Sequence, residues 1–287
     1  KEGPTTVTYN AVINCWSKSS VPEAPQRALN ILTTMLNEYN THKQDDDDDE
    51  EIGNTRNKPN PSSNGRTETV RPDTITYNSV MNTYGKKGDI EGTLSIFNMM
   101  RGDFSSGNTQ AKPDVRSYNI LIDAYAKSAE HNTTPEAPHQ AETVLINMIQ
   151  LHRRGQLEDG PDLFSYSGVI NCWSKSQQKE APDRAMAILT MVTEKYQLQK
   201  DENSRLRPNT IVYNSVMDAY ARQSNIAGCN KVFAMMQQHT EVQPDVFTYN
   251  IRLDAWANAR TIHTPVEAEK IFQQIQQCCA TGELPEG

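Results

Sequence analysis

One segment of this chain is written several times over. RPDTITYNSVMNTYGKKGDIEGTLSIFNMM begins at Arg71, KPDVRSYNILIDAYAKS at Lys112, RPNTIVYNSVMDAYARQSNIAGCNKVFAMM at Arg207 and QPDVFTYNIRLDAWANA at Gln243. This constrains the fold more than composition does, because a segment repeated at a near-fixed period folds as a repeated supersecondary unit. Six copies align on Tyr9, Tyr77, Tyr118, Tyr166, Tyr213 and Tyr249. Five of these tyrosines are followed at +3, +4 and +7 by an apolar stripe: Val12/Ile13/Trp16, Val80/Met81/Tyr84, Leu121/Ile122/Tyr125, Val169/Ile170/Trp173 and Val216/Met217/Tyr220. That spacing marks one face of an α-helix. The sixth copy keeps Leu253 and Trp256 but has Arg252 where an aliphatic side chain belongs.

A second stripe follows, opened by a small residue: Ala28/Ile31/Leu32/Met35, Thr93/Ile96/Phe97/Met100, Ala141/Val144/Leu145/Met148, Ala185/Ile188/Leu189/Val192, Cys229/Val232/Phe233/Met236 and Ala268/Ile271/Phe272/Ile275. The fixed small residue predicts a close approach of two helices. Each copy therefore reads as a helical hairpin. Two helices alone cannot bury both stripes, so neighbouring hairpins must cover one another, and the expected class is all-α with stacked hairpins. The expected units run 6–73, 74–114, 115–162, 163–209, 210–245 and 246–286, forming a single array. The Thr or Ser before the tyrosine (Thr8, Thr76, Ser117, Ser165, Thr248) is the expected helix N-cap, and Pro-Asp or a near relative (Pro208-Asn209, Pro285-Glu286) punctuates each boundary.

Charge adds one local feature. The net charge is −8, and seven of the 36 acidic residues form the run Asp45–Glu51. Without that run acids and bases nearly balance, 29 against 28. A large basic field is therefore excluded. The stretch 41–69, with the acidic run and KPNPSSNGRTE, has the composition of a disordered insert. It reads as a solvating spacer or as a polyanion mimic that competes for cationic sites. The five cysteines show no zinc or CxxC spacing and read as buried or half-buried thiols. The six histidines have no partner spacing, and the motifs of nucleotide hydrolases, zinc proteases and α/β-hydrolases are absent. No cofactor, metal or catalysis is expected, and no apolar run is long enough to span a bilayer. The chain opens on Lys-Glu-Gly-Pro, which reads as a fragment of a longer protein.

TYNSVMNTYGKKGDIEGTLSIFNMM, closed by Pro-Asp, resembles the pentatricopeptide repeat; the Tyr-Asn opening and Pro-Asp close set it apart from the tetratricopeptide repeat. The resemblance implies a right-handed α-solenoid of about six helix-turn-helix repeats. It also implies a mitochondrial or plastid protein that reads single-stranded RNA at one base per repeat. In such repeats the residue after the tyrosine meets the base edge, supported by the residue after the boundary proline. The implied pairs are Asn10 with Asp73, Asn78 with Asp114, Asn119 with Asp162, Ser167 with Asn209, Asn214 with Asp245, and Asn250 with Glu286. The family's code turns them into U-U-U-A-U-Y. The implied base-face residues, two before each tyrosine, are Val7, Ile75, Arg116, Phe164, Ile211 and Phe247.

The residues themselves leave alternatives. Asn at a helix start and Asp after Pro are also ordinary helix and turn chemistry. A row of cations closes the first helices: Lys18, Lys86, Lys87, Lys127, Lys175 and Arg222. They are candidate phosphate contacts, or cations placed to suit a helix dipole. A protein-binding α-solenoid is the competing function. An RNA reader must keep Asn or Ser opposite Asp or Asn in every unit, whereas a peptide binder need not.

Overall fold

A computed structural model describes residues 3–51, 70–131, 134–198, 204–239 and 241–281. Twelve α-helices are formed among them, with no strand. They follow in chain order as six successive helix–turn–helix segments: α1 (Thr6–Lys18) and α2 (Ala24–Glu51), α3 (Thr74–Gly85) and α4 (Ile90–Ser105), and α5 (Val115–Glu130) and α6 (Ala137–Arg153). The others are α7 (Leu163–Lys175) with α8 (Ala181–Leu198), α9 (Thr210–Arg222) with α10 (Ile226–Gln238), and α11 (Val246–Ala259) with α12 (Thr264–Thr281). The chain packs as two compact units, residues 1–124 and 125–287, divided inside α5.

Within each unit the two apolar stripes are the core. In the first, Val80, Met81, Ile96 and Met100 are buried; in the second, Val169, Ile170, Leu189, Val216, Met217 and Met236 are. The small residue of the second helix is buried in five copies, Ala28, Thr93, Ala141, Ala185 and Cys229, and half-buried in the sixth, Ala268. Neighbouring hairpins also interlock through aromatic edges. Phe97 meets Tyr118 at 5.1 Å between ring centroids, and Phe233 meets Tyr249 at 5.5 Å. Such edge-to-face pairs add about 0.5–1.5 kcal/mol each beyond the area they bury.

Two short connections show why their residues are needed. Gly88 and Ser224 occupy the same place before α4 and α10, both with left-handed backbone (φ 69° and 57°). Four residues on, Gly92 and Gly228 lie under the rings of Tyr84 and Tyr220, where a Cβ would come within 2.1 and 2.2 Å of the ring carbons. In the other four hairpins the second helix opens on a proline in its first turn: Pro25, Pro138, Pro182 and Pro265.

Three expectations need correction. The N-cap is not the Thr or Ser before the tyrosine but the residue three positions earlier: Thr5, Asp73, Asp162, Asn209 and Asp245. The Thr or Ser is the third helical residue, whose side chain returns the bond to the cap, as in Thr5 with Thr8 and Asp73 with Thr76. The acidic run, expected in a disordered insert, falls within α2, which continues to Glu51; no glycine or proline interrupts the sequence between Pro25 and Gly53. Residues 52–69 lie outside the described residues. Finally, Cys15 and Cys279 are exposed, whereas Cys172 and Cys229 are buried. Cys15 and Cys172 share one register, but α7 packs against α6, α8 and α9, while α1 packs against α2 and α3.

Candidate nucleic-acid interface

The start of each first helix builds a small recurring constellation. In α3, the Asp73 carboxylate accepts from the Thr76 amide at 2.8 Å and the Thr76 hydroxyl at 2.8 Å. The same carboxylate accepts from Asn10 Nδ2 of the preceding hairpin, at 3.2 and 3.3 Å to its two oxygens. The Thr76 hydroxyl also lies 2.6 Å from Asn10 Oδ1, so its single proton is shared between the carboxylate and the asparagine.

Two more of the implied pairs meet in this way. Asn78 Nδ2 donates to Asp114 Oδ1 at 3.1 Å, and Asn214 Nδ2 donates to Asp245 Oδ1 at 3.3 Å. Asp114 accepts from the Ser117 amide at 2.8 Å, and Asp245 from the Thr248 amide at 2.7 Å. One carboxylate therefore starts a helix and fixes the asparagine of the hairpin before it. Asn78 and Asn214 are each only 4% exposed, and neither Oδ1 has a hydrogen-bond partner.

The fourth pair is built differently. The Ser167 hydroxyl donates to the Phe164 carbonyl at 3.2 Å, while Asn209 Oδ1 accepts from the Val212 amide at 3.1 Å. Val212 has no hydroxyl, so this capping box has only one half. Asn119 is half-buried in the first unit and Asp162 caps α7 in the second. Asn250 is exposed, and Glu286 lies outside the described residues.

A threonine that the sequence reading passed over aligns the pairs that meet. Thr6, Thr74 and Thr210 each open their helix. Their hydroxyls donate to the carbonyls of Arg71 (3.1 Å), Lys112 (2.7 Å) and Gln243 (2.9 Å). Each carbonyl belongs to the residue two before the boundary Asp, so the threonine pins the loop that carries the carboxylate. The signal was available: TVTYN, TITYN and TIVYN share it, and the copies that open on Val or Leu lack it. In the first unit Asn108 also holds the boundary, donating to the Pro72 carbonyl at 2.8 Å and to Asp103 at 2.7 Å.

Beside these pairs stand exposed apolar side chains. Val7, Ile75, Phe164, Ile211 and Phe247 are between 62% and 77% exposed, and Arg116 is exposed as well. All six sit at the second position of a first helix. The tyrosine two residues on points the other way and is buried in all copies but the first. The Tyr77 hydroxyl donates to Asp103 at 3.0 Å, and burial with that carboxylate raises its pKa. Tyr166 is raised by burial to about 12 and accepts from Lys195 Nζ at 2.6 Å. These tyrosines are structural anchors.

The cation row is present but largely engaged. Lys86 Nζ reaches the Ser17 carbonyl at the end of α1, and Lys87 Nζ the Pro22 carbonyl in the loop between α1 and α2. Lys175 pairs with Glu130 at 2.8 Å and Arg222 with Asp218 at 2.7 Å. Lys127 is half-buried with a partner, and Lys18 is exposed. Among the described residues no cluster of His, Cys, Asp and Glu could hold a metal ion, and no helix is long and apolar enough to cross a membrane.

A model of the PPR repeat family matches residues 72–127 and 208–258. A pentatricopeptide repeat-containing protein of Arabidopsis thaliana is 21% identical over 180 residues, covering 62% of this chain and 26% of its own length. A putative second one from the same plant is 20% identical over 187 residues, covering 64% of this chain and 50% of its own length. The chain thus spans from a quarter to a half of these relatives. The small ribosomal subunit protein mL103 of Arabidopsis thaliana is 26% identical over 139 residues, covering 42% of this chain and 32% of that protein. Among solved structures, the PPR domain of Arabidopsis thaliana protein-only RNase P 1, in complex with tRNA, covers 69% of this chain and 86% of its own at 14% identity and a TM-score of 0.48. The pentatricopeptide repeat protein PPR10, in complex with an 18-nucleotide psaJ RNA element, covers 97% of this chain and 35% of its own at 19% identity and a TM-score of 0.43.

Proposed function

We propose that the chain is an array of pentatricopeptide repeats that binds single-stranded RNA, reading one base per repeat in the order U-U-U-A-U-Y, within a mitochondrion or plastid. The observation that carries this reading is the recurring pair of Asn and Asp, in contact at 3.1–3.3 Å in three repeats, beside an exposed aliphatic side chain. A carboxamide has a donor and an acceptor; with Nδ2 held by the boundary carboxylate, Oδ1 of Asn78 and of Asn214 is the atom left for a base edge. An exposed aliphatic or aromatic residue offers a surface for the base face, and stacking on an aromatic side chain stabilises by about 1–3 kcal/mol per base. Exposed apolar residues at one register position are otherwise hard to explain in a chain that buries its other stripes.

Phosphates would be met by Lys18 and by the cations at the ends of the first helices. Exposed ion pairs such as that of Arg222 with Asp218 are worth little and exchange readily for a phosphate. Binding rather than catalysis is the role proposed for this segment. Processing, stabilisation or translation of the bound transcript would follow from occupancy.

The test is fluorescence anisotropy with UUUAUU RNA beside an RNA in which A and U are exchanged at every position, at several salt concentrations. The expected preference for the first is about 1 kcal/mol or more, with affinity falling as salt rises. Equal, salt-sensitive binding would remove the letters and keep RNA. Absence of binding to both would favour the protein-binding solenoid, to which the engagement of Lys86, Lys87 and Lys175 by protein groups already lends support.

A further inference from the structure

Arg252 occupies the place that Val80, Leu121, Val169 and Val216 fill in earlier repeats, where each is buried. Nothing in the RNA reading uses it. It lies two residues beyond Asn250 and five beyond Phe247, on the far side of α11 from the exposed row. An arginine in a core register carries a cost, since a charge removed from water needs a counter-charge.

The surroundings supply no such counter-charge. The guanidinium stacks over the Phe233 ring at 4.2 Å and lies 5.9 Å from the Tyr249 ring. Its Nε donates to Asn230 Oδ1 at 3.4 Å and its Nη1 to Gln274 Oε1 at 3.2 Å, both neutral amides. Among the described residues no carboxylate stands within ion-pair distance of it. Glu267 contributes a favourable field but is itself paired with Lys270 at 2.7 Å. Burial accordingly pulls the guanidinium's pKa down. Among the described residues, three of its five N–H groups have no protein acceptor.

Those groups border a cavity of about 540 Å³ between α10, α11 and α12, lined by Asn230, Phe233, Gln237, Arg252, Gln274 and Gln277 along with Tyr249 and Cys278. That size suits a small organic molecule, since ligand sites run from roughly 300 to 1,000 Å³. The lining offers amides and aromatic rings around one cation and includes no acidic side chain. We propose that this cavity is a binding site for an oxyanion, a phosphate or a carboxylate, carried on a flat apolar group. The oxyanion takes the remaining N–H groups at the edge of the guanidinium as an in-plane fork, and the apolar group fills the rest of the cavity beside it.

The probes are phenyl phosphate and benzoate, with benzyl alcohol as the neutral counterpart, titrated into the whole chain at constant ionic strength and read by calorimetry. Saturable binding of at least one anion and none of the alcohol is expected, and the tighter anion names the preferred group. Arg252→Met restores an apolar residue at an apolar register, so it should fold, as circular dichroism would verify, and should weaken the anion at least tenfold. Arg252→Met should also bind UUUAUU RNA as the unaltered chain does, which separates this site from the RNA reading. Equal anion binding in the variant, or no saturable binding to the unaltered chain, would overturn the proposal. So would loss of RNA affinity in the variant, since the arginine would then belong to the RNA interface.

Discussion

Asp114 carries two structures at once, and its removal should expose both. Its Oδ1 caps α5 by accepting from the Ser117 amide at 2.8 Å, and it accepts from Asn78 Nδ2 at 3.1 Å. Asn78 is 4% exposed and its Oδ1 already lacks a partner. Asp114→Ala therefore removes a cap, worth about 1 kcal/mol, and leaves a buried amide with neither end satisfied, at about 1–3 kcal/mol. The expected loss is about 2–4 kcal/mol, all within the first unit. Asp114→Asn keeps an oxygen that can cap the helix and accept from Asn78, so it should cost about 1 kcal/mol or less, Asn being as good a cap as Asp. The double variant Asn78→Ala/Asp114→Ala should cost less than the sum of its singles by about 1–2 kcal/mol, because no donor is left stranded. The assay is amide hydrogen exchange at Ser117, with urea unfolding alongside. In Asp114→Ala the protection should fall by roughly 30- to 1,000-fold, the equivalent of that energy. Equal protection in the Ala and Asn variants, or strict additivity in the double variant, would refute the claim that this carboxylate holds the asparagine.

Other consequences follow from backbone, packing and burial. Ser224→Gly should stabilise by about 0.5–1 kcal/mol in thermal unfolding, since Ser224 holds a left-handed backbone that glycine adopts freely; a loss would contradict the φ of 57°. Gly228→Ala should destabilise by about 1–3 kcal/mol in the same assay, because the new methyl meets the Tyr220 ring. A thiol reagent at pH 8 should titrate Cys15 and Cys279 in the native chain, and Cys172 and Cys229 only on unfolding. Burial raises the Cys172 thiol to about 12 and the Tyr166 phenol to about 12. Each is neutral when folded and ionises at lower pH when unfolded, so stability should be flat below about pH 9 and fall between pH 9 and 12. Unfolding midpoints measured across that range would check the sign.

The hairpins were legible in the sequence because their signal is periodic and six times repeated. A stripe at i, i+3, i+4, i+7 fixes which side of a helix is buried, and repetition averages away single departures such as Arg252. Helix starts were less legible by three residues. Thr76 and Asp73 both have side chains that can cap, and one-dimensional spacing does not say which comes first; only the reciprocal bonds of the box distinguish cap from third residue. The contacts between hairpins were least legible, because they depend on loop height. Thr74 reaching the Lys112 carbonyl, and Asn108 reaching the Pro72 carbonyl, each span more than thirty residues of sequence. Arg252 stood out in the alignment as an exception, but its cavity follows from where α10 and α12 place Asn230 and Gln274.

The double duty of the boundary residue limits what a repeat of this kind can encode. Asp73, Asp114, Asp162, Asn209 and Asp245 all come from the short set of good N-caps. A change made to alter a base preference at that place also changes the start of a helix. Between Asp and Asn the change is nearly neutral for the cap, and these are the two residues found here. Substitution by a residue that cannot cap costs about 0.5–2 kcal/mol in the cap alone, comparable to the discrimination expected from a single base. Stability thus favours residues that can cap at the boundary, while the position after the tyrosine, which caps nothing, is freer to change. Ser167 is the one departure there, and it is paired with the one Asn at the boundary.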